Sequence, residues 1–356
     1  MKHNQDAPSI LPVFAQALQT VYYPGFDTDI IAMDLVIEAH LEGGKAVVRL
    51  KPLAAPPEVS EELENRIAGV VSSLTGVTEL ELSVPNPPQP KKSPVPRAID
   101  GVRAVVSVAS GKGGVGKSTV AVNLALGLAR LGLKVGLLDL DLYGPSIPLM
   151  LGLTDAQPGD AEGGKIAPVE AHGIKVLSIG FLVRAERALI WRGPILMKAI
   201  KQLLHEVTWA PLDVLVLDLP PGTGDIQITV TQEVPIAGAV VVTTPQDVAL
   251  VDAIKAVDMF NHTNVPVLGI VENMSYFICP DCHRRHEIFG HGSVKPLAER
   301  LGAPFLGEIP LAQAVREAMD AGTPIVESEA ASGQAYQDLA RKVAARLDLA
   351  TVKEMQ

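Results

Sequence analysis

Cysteine is nearly absent from this 356-residue sequence, which contains only Cys279 and Cys282. A disulfide-stapled secreted domain needs more, so this small number excludes such a framework and favours a reducing compartment. No uninterrupted apolar run approaches the ~18–20 residues that span a bilayer. The first residues, Met-Lys-His-Asn-Gln-Asp, lead into no apolar segment of a secretory signal. We therefore expect a cytoplasmic protein without a membrane partner.

Basic residues are outnumbered, with 30 Lys and Arg against 40 Asp and Glu and a formal net charge of −10. A broad nucleic-acid-binding face requires an excess of positive charge, so we expect no nucleic-acid partner. The hydrophobic fraction of 47% is ample for a core. At ~150 residues per domain, the length predicts about two domains.

Composition and pattern divide the chain into three parts. Residues 1–84 predict a small α+β domain, with helices at 12–22 and 60–74 and strands at 31–41, 45–53 and 77–84. Residues 85–100 are rich in proline and form an extended linker, because proline interrupts helices and central strands. Residues 101–356 form the third part.

The third part alternates apolar, strand-like runs with helical patterns. The runs are 102–109, 134–140, 174–179, 214–219, 239–243 and 265–271. Such alternation is typical of a mostly parallel, doubly wound α/β sheet with helices on both faces. Ligands bind such sheets at the carboxyl ends of the strands, and the motifs of this sequence follow those ends.

A glycine-rich turn follows the first of these strands. Residues 111–118 fit the pattern G-x-x-x-x-G-K-[ST] without a mismatch, and residues 119–131 have helical spacing. Strand, glycine loop and helix form the context of a phosphate-binding loop (P-loop). We predict that a nucleotide is bound by Gly111, Lys112, Gly113, Gly114, Val115, Gly116, Lys117, Ser118 and Thr119.

The residue types in this loop suit Mg²⁺ and the phosphates of a nucleotide. Glycines allow positive φ and turn backbone N–H groups toward phosphate oxygens, and the helix N-terminus adds its dipole. Lys117 is predicted to contact the β- and γ-phosphates, and the Ser118 hydroxyl to ligate Mg²⁺.

Carboxylates end two other strands. The run 214–217 ends in Asp218 and continues as Pro-Pro-Gly-Thr-Gly, as a Walker B strand requires, so Asp218 is predicted to accept hydrogen bonds from Mg²⁺-bound water and from Ser118. Alternation places Asp139 and Asp141 on one side of another strand. Asp141 can orient the attacking water there or hold Mg²⁺ through water, and a solvated strand end is its alternative. Together with the P-loop, these positions predict an ATPase.

The two cysteines form the pattern Cys279-Pro-Asp-Cys282. Such a pair can bind one metal ion or one edge of a cluster. A complete site usually needs four ligands, however, and the chain has no third cysteine. Two subunits together can supply four thiolates to a cluster. The alternatives are zinc, bound by the pair and two of His283, His286 and His291, and no metal.

These motifs resemble a known family. The loop Gly-Lys-Gly-Gly-Val-Gly-Lys-Ser resembles the deviant P-loop of the dimeric switches related to MinD, ParA and the nitrogenase iron protein. Asp-Leu-Tyr-Gly-Pro-Ser at 141–146, Ile-Trp-Arg-Gly-Pro at 190–194 and Cys-Pro-Asp-Cys at 279–282 resemble the Mrp/ApbC iron–sulfur cluster carriers. Residues 1–84 more loosely resemble the assembly-factor domain often fused to them. The loop 52–57 lacks the cysteine that relatives often have there.

The resemblance implies a homodimer that hydrolyses ATP. It implies that Lys112 reaches the phosphates bound to the partner subunit, and that Lys112, Lys117 and Asp141 are catalytic. It also implies that Asn273, which follows the strand at 265–271, reads the adenine base. A turn-forming asparagine at a strand end is the alternative for Asn273.

The resemblance further implies a [4Fe–4S] cluster bridged between the cysteine pairs of two subunits, a cluster scaffold and recipient apoproteins. The implied function is an ATP-dependent carrier that transfers the cluster to apoproteins. The alternative is a MinD/ParA-like positioning or regulatory switch with structural zinc or no metal. The cysteine pair, the Gly-Pro-Ser motif and the mixed charge of the last predicted helix, 332–349, favour the carrier.

Overall fold

The computed structural model describes residues 10–24, 27–51, 57–84, 95–142, 144–182 and 193–349. The chain divides into two compact units, Met1–Ser93 and Pro94–Gln356. Four features of the sequence lie at least partly outside the described residues. They are the loop at 52–57, the proline-rich stretch at 85–94, Tyr143 and the Trp-Arg pair at 191–192. No helix in the described part of the chain is both long and apolar enough to cross a membrane.

The first unit is a three-stranded sheet with two helices. Its elements are α1 (Pro12–Leu18), β1 (Val36–Glu42), β2 (Lys45–Leu50), α2 (Pro57–Val71) and β3 (Glu79–Ser83). β1 and β2 pair antiparallel across a two-glycine turn, and β3 joins parallel to β2. One core, which includes Phe14, Leu18, Leu63 and Ile67, lies between the helices and the sheet.

The strand predicted at 31–41 begins only at Val36, so its first part was wrong. Oδ1 of Asp29 accepts hydrogen bonds from the backbone N–H groups of Ile31 (3.0 Å) and Ala32 (2.8 Å). A carboxylate that satisfies the backbone locally competes with strand pairing and makes a turn instead. Asp34 ends this turn with a φ of 54°.

The second unit is an eight-stranded sheet with surrounding helices. Its strands are β4 (Val102–Ala109), β5 (Val135–Asp139), β6 (Gly159–Ala161), β7 (Lys165–Ala167), β8 (Val169–Ala171), β9 (Ile174–Ser178), β10 (Leu212–Asp218), β11 (Gly238–Thr243), β12 (Val267–Glu272), β13 (Phe277–Ile278), β14 (Arg285–His286) and β15 (Phe305–Glu308). Its helices are α3 (Lys117–Arg130), α4 (Ile147–Met150), α5 (Ile179–Leu182), α6 (Gly193–His205), α7 (Asp225–Glu233), α8 (Asp247–His262), α9 (Val294–Arg300), α10 (Gln313–Asp320) and α11 (Ala331–Arg346).

The order of the main sheet is β15-β12-β11-β4-β10-β5-β9-β8, and the pairings are parallel except for β8 with β9. β6 with β7 and β13 with β14 form two separate two-stranded sheets. Both faces of the main sheet are buried: Val106 and Val108 of β4 pack in the layer with α3 and α11, and Val105 and Ala109 in the layer with α6 and α8. Burial on two faces explains the near-continuous apolar strands. The predicted doubly wound sheet is confirmed.

The last helix packs inside this unit. Tyr336, Leu339 and Val343 of α11 are buried in the same core layer as α3. The apolar stripe of α11 is therefore used for packing, as its mixed charge predicted.

Candidate functional site

The P-loop connects the end of β4 to the start of α3, and two glycines give it its shape. Gly114 and Gly116 both have a φ of 81°, a conformation that side chains with a Cβ rarely adopt. A Cβ on Gly116 would lie 2.2 Å from Nδ2 of Asn273. Gly116 is also the N-cap of α3, so the first free N–H groups of that helix face the loop.

Asn273 supports the loop from the end of β12. Its Nδ2 donates a hydrogen bond to the backbone oxygen of Val115 (2.8 Å), and its own backbone N–H donates to the oxygen of Thr243 (2.8 Å). The side chain is buried. The sequence does not predict this supporting contact, because Asn273 and Val115 are 158 residues apart in the chain. Adenine recognition by Asn273 stays a prediction.

α8 approaches the other end of the loop. A Cβ on Gly111 would lie 2.0 Å from the backbone oxygen of Asp252, so only glycine fits between β4 and this helix. The loop is thus held at Gly111 by α8 and at Val115 by β12. Both supports come from neighbouring elements and restrict the conformations open to the loop backbone.

Lys117 brings the predicted phosphate and magnesium residues together. Its Nζ lies 2.6 Å from Oδ1 of Asp218, 3.6 Å from Oδ2 of Asp141 and 3.2 Å from Oγ of Ser118. Lys117 is 6% exposed and Asp218 is fully buried. The end of β10 and the segment after β5 therefore meet at the first turn of α3.

The donor set around Asp218 fits Mg²⁺. Oδ2 of Asp218 is buried without a hydrogen-bond partner among the described residues. Burial raises the pKa of Asp218, and the charge and hydrogen bond of Lys117 oppose that rise, with a smaller contribution from Ser118. Carboxylate and hydroxyl oxygens are the ligands that Mg²⁺ takes, often through water. Ser118 could ligate the ion, and Asp218 could accept hydrogen bonds from its bound water; both roles stay predictions.

Asp139 organises the segment that contains Asp141. Its two carboxylate oxygens accept hydrogen bonds from the Asp141 backbone N–H (3.0 Å) and from Oγ of Ser178 at the end of β9 (2.9 Å). Burial, followed by the nearby charge of Asp218, raises the pKa of Asp139 to about 7. The alternation of Asp139 and Asp141 signalled that they share a site, but the contact with Ser178 depends on β5–β9 pairing and was missed.

The Pro-Pro-Gly segment after β10 is tied to the P-loop. The backbone N–H of Gly222 donates to the oxygen of Ser110 (2.8 Å). Nε2 of Gln227 on α7 donates to the oxygens of Pro220 (2.7 Å) and Gly222 (3.0 Å). A conformational change in this segment would therefore also shift the P-loop.

The P-loop borders an open cavity of about 200 Å³. Its lining includes Lys112, Gly114, Lys117, Ser118, Asp141 and Pro221. The half-buried Lys112 lies at this cavity and has no ion-pair partner among the described residues. The residues predicted to bind the nucleotide thus lie together around the P-loop, whereas the cysteine pair lies elsewhere on the second unit.

The cysteines occupy the turn of a hairpin formed by β13 and β14. The backbone N–H of Cys279 donates to the oxygen of Arg284 (3.0 Å), and the N–H of His283 donates to the oxygen of Cys279 (2.9 Å). The Cys279 sulfur accepts hydrogen bonds from the backbone N–H groups of Cys282 and Asp281, then from the Cys282 thiol, which lowers the pKa of Cys279. Such a turn favours the thiolate that metals bind.

No third ligand from the same chain joins this pair in the described ranges. The one set of three His, Cys, Asp or Glu ligand atoms within 4.8 Å of one another there is Glu272, His291 and Glu308, and it contains neither cysteine. The structure therefore does not bring His283, His286 or His291 to the pair as zinc would require. Within the described ranges, one chain thus offers two thiols at this turn, fewer than the four ligands that a complete site usually needs.

The parallel sheet and the P-loop at its carboxyl edge define the class: the chain is a P-loop NTPase of the ParA and MinD kind. A family profile described as "ParA: NUBPL iron-transfer P-loop NTPase" matches residues 101–344. The chain belongs to this family, and the predicted resemblance is confirmed.

Individual proteins agree with the family. A protein of Deinococcus radiodurans named iron-sulfur cluster carrier protein is 44% identical over 342 residues, which cover 96% of each chain. A solved nucleotide-binding protein of Archaeoglobus fulgidus, in complex with ADP, is 40% identical, with a TM-score of 0.59 over 66% of this chain and 92% of that chain. The cell division ATPase MinD of Pyrococcus furiosus is 26% identical, with a TM-score of 0.52 over 68% of this chain and 98% of that chain.

Proposed function

We propose that this chain is an ATP-dependent iron–sulfur cluster carrier that acts as a homodimer. The observation on which this depends is the cysteine pair, which forms half of a four-ligand site on the same unit as the P-loop. The Deinococcus radiodurans relative, similar over nearly the whole chain, has the name of a cluster carrier. A second copy of the hairpin completes the four thiolates of a [4Fe–4S] cluster, which is the cargo.

Nucleotide binding uses the buried charged side chains around Lys117. In the free protein its ammonium group neutralises Asp218 at 2.6 Å. The phosphates of ATP compete for that ammonium group, and Asp218 with Ser118 is then available to Mg²⁺-bound water. Mg²⁺ held by these residues would supply positive charge that stabilises the phosphates during hydrolysis.

Hydrolysis to ADP and phosphate uses Asp141 and a second subunit. Asp141 orients the attacking water, and its backbone is fixed by Asp139 at 3.0 Å. Lys112, which lines the cavity and has no ion-pair partner in the part of the chain that the structure describes, contacts the phosphates bound to the partner subunit. ATP binding and cluster binding then both depend on the dimer, so each changes the affinity for the other.

The remaining assignments follow from this function. Thiolate ligands on an exposed hairpin allow a scaffold protein to load the cluster and apoproteins to remove it by ligand exchange, in the reducing cytoplasm. Residues 1–84 serve docking or regulation, residues 85–100 link them, and residues 101–356 form the ATPase. The chain needs neither a nucleic acid nor a membrane for this cycle.

Anaerobic reconstitution tests the proposal. We expect about four irons and four sulfides per dimer, lost in Cys282→Ala. Asp281→Ala is the matched control, because it changes the same turn without removing a thiol. Stoichiometric zinc in place of iron, or ATPase activity with no bound metal, would contradict the carrier and favour a MinD-like switch.

A further inference from the structure

The cysteine hairpin is too small to hold its own shape. β13 and β14 contain two residues each, and the segment from Asp281 to Glu287 is exposed. Two-stranded hairpins are marginally stable in water unless they pack against something else. Contacts outside the hairpin must therefore fix the turn that presents the two thiols.

Arg285 makes such contacts. Its Nη2 lies 3.0 Å from Oε2 of Glu308 and 3.2 Å from Nδ1 of His291. Its guanidinium carbon lies 4.0 Å from the centre of the Tyr276 ring. A planar guanidinium can stack and donate several hydrogen bonds at once, which a lysine ammonium group cannot.

Two of the groups that contact Arg285, Glu308 and Tyr276, lie at the ends of strands of the main sheet. Glu308 ends β15 and pairs in register with Glu272 of β12. Tyr276 follows β12, and its backbone oxygen accepts a hydrogen bond from the N–H of Leu311 (2.7 Å). Arg285 therefore ties the hairpin to the paired ends of β12 and β15.

The same strand end supports the P-loop. Asn273, which bonds Val115 at 2.8 Å, is the residue after β12, and Phe277 begins the hairpin four positions later. Residues 273–277 thus connect the residue that supports the P-loop to the start of the cysteine hairpin. Arg285 contacts this segment at the ring of Tyr276.

We propose that Arg285 is a positioning residue, which fixes the hairpin on the sheet and so sets the orientation in which Cys279 and Cys282 meet the cluster. The inference rests on the proposed function. Without the guanidinium, the Glu308 carboxylate loses its cation while it lies within 4.8 Å of the buried Glu272 carboxylate. The hairpin then loses both the ion pair with Glu308 and the ring contact with Tyr276 that join it to the ends of β12 and β15.

Arg284 offers a matched control. It is the neighbouring residue and is exposed, and within the described ranges its side chain has no hydrogen bond, ion pair or ring contact. Arg284→Ala and Arg285→Ala remove the same charge from the same hairpin. A difference between them therefore reports the contacts of Arg285 and not net charge.

The first measurement uses the reduced, metal-free protein. We expect amide hydrogen exchange at Cys279 and His283 to become about tenfold faster in Arg285→Ala, because a charged hydrogen bond and a cation–π contact are lost together. Arg284→Ala should stay within about twofold of wild type, and Arg285→Lys should fall between them. Unchanged exchange in Arg285→Ala would overturn the proposal, provided that urea unfolding shows the same core stability.

The second measurement uses the reconstituted protein. Loss of iron to a chelator should also become about tenfold faster in Arg285→Ala and not in Arg284→Ala. Faster exchange without faster iron loss would overturn the positioning role. A wild-type protein that binds no iron at all would refute the carrier function instead, and hydrogen exchange would still show whether Arg285 fixes the hairpin.

Discussion

The P-loop and the cysteine hairpin lie on one unit but are built in opposite ways. The P-loop is bonded to β12, abuts α8 and is tied to the segment after β10, and its lysine is 6% exposed beside a fully buried aspartate. The hairpin is exposed and has two thiols, with no third ligand from the described part of its chain. A site that one chain completes depends on the fold of that chain. Under the proposed function, the cysteine pair depends instead on a second copy of the chain.

The free energy of unfolding of the larger unit allows the P-loop and the cysteine hairpin to be compared on one scale. Both tryptophans of the sequence, at 191 and 209, belong to the larger unit, and Trp209 is buried in its core. Tryptophan fluorescence in urea therefore reports that unit. Substitutions in the P-loop should change this free energy, and substitutions in the hairpin should not.

Lys117→Met should have the largest effect. It leaves the Asp218 carboxylate buried without its cation, and breaking a buried pair in this way costs about 3–5 kcal/mol. We expect a fall of that size in the unfolding free energy, and loss of nucleotide binding. A fall below about 1 kcal/mol would show that Asp218 takes up a proton with little penalty, and would weaken the contrast with the hairpin.

Gly116→Ala should have the next largest effect. The alanine Cβ would meet Asn273 at 2.2 Å in a backbone conformation with φ of 81°, so we expect a loss of about 2 kcal/mol. Gly113→Ala is the control, because the nearest atom to its Cβ is 3.9 Å away. Equal losses in the two variants would show that the contact with Asn273 is unimportant for loop shape.

Asp139→Asn should stabilise the protein in a pH-dependent way. The unfolded carboxyl has the ordinary pKa of 3.8, whereas in the folded protein the value is raised to about 7. Between these values the folded chain retains a proton that the unfolded chain releases, so the wild type loses stability as pH rises toward 7. We expect the advantage of the variant over wild type to grow by at least about 1 kcal/mol between about pH 4 and about pH 8. A gain independent of pH would contradict a raised pKa.

Cys282→Ala should have the smallest effect on folding. Its side chain is exposed, so the unfolding free energy should change by less than about 0.5 kcal/mol. Cys279→Ala should cost somewhat more, because the half-buried Cys279 sulfur accepts two backbone hydrogen bonds. A large loss in Cys282→Ala, measured without metal, would show that the hairpin is part of the folded core after all.

The sequence alone predicted the parts of this molecule that depend on local patterns. The strand at 102–109 has the predicted bounds, and the glycine loop and following helix lie where the motif placed them. The hairpin strands β13 and β14 were not predicted, because two-residue strands have no periodicity. Nor were the contacts of Asn273 and Ser178, which join residues far apart in the sequence.

The Lys117–Asp218 pair also has a consequence during synthesis. Its members are 101 residues apart in the chain, so at 5–20 residues per second the lysine waits roughly 5–20 s on the ribosome for its aspartate. During that interval β4 lacks its neighbour β10, and Lys117 lacks the carboxylate that it contacts in the folded protein. Ribosome-arrested chains that end before β10 should leave the P-loop open to protease, and full protection should require chains that also include α8 and Asn273, which support the loop.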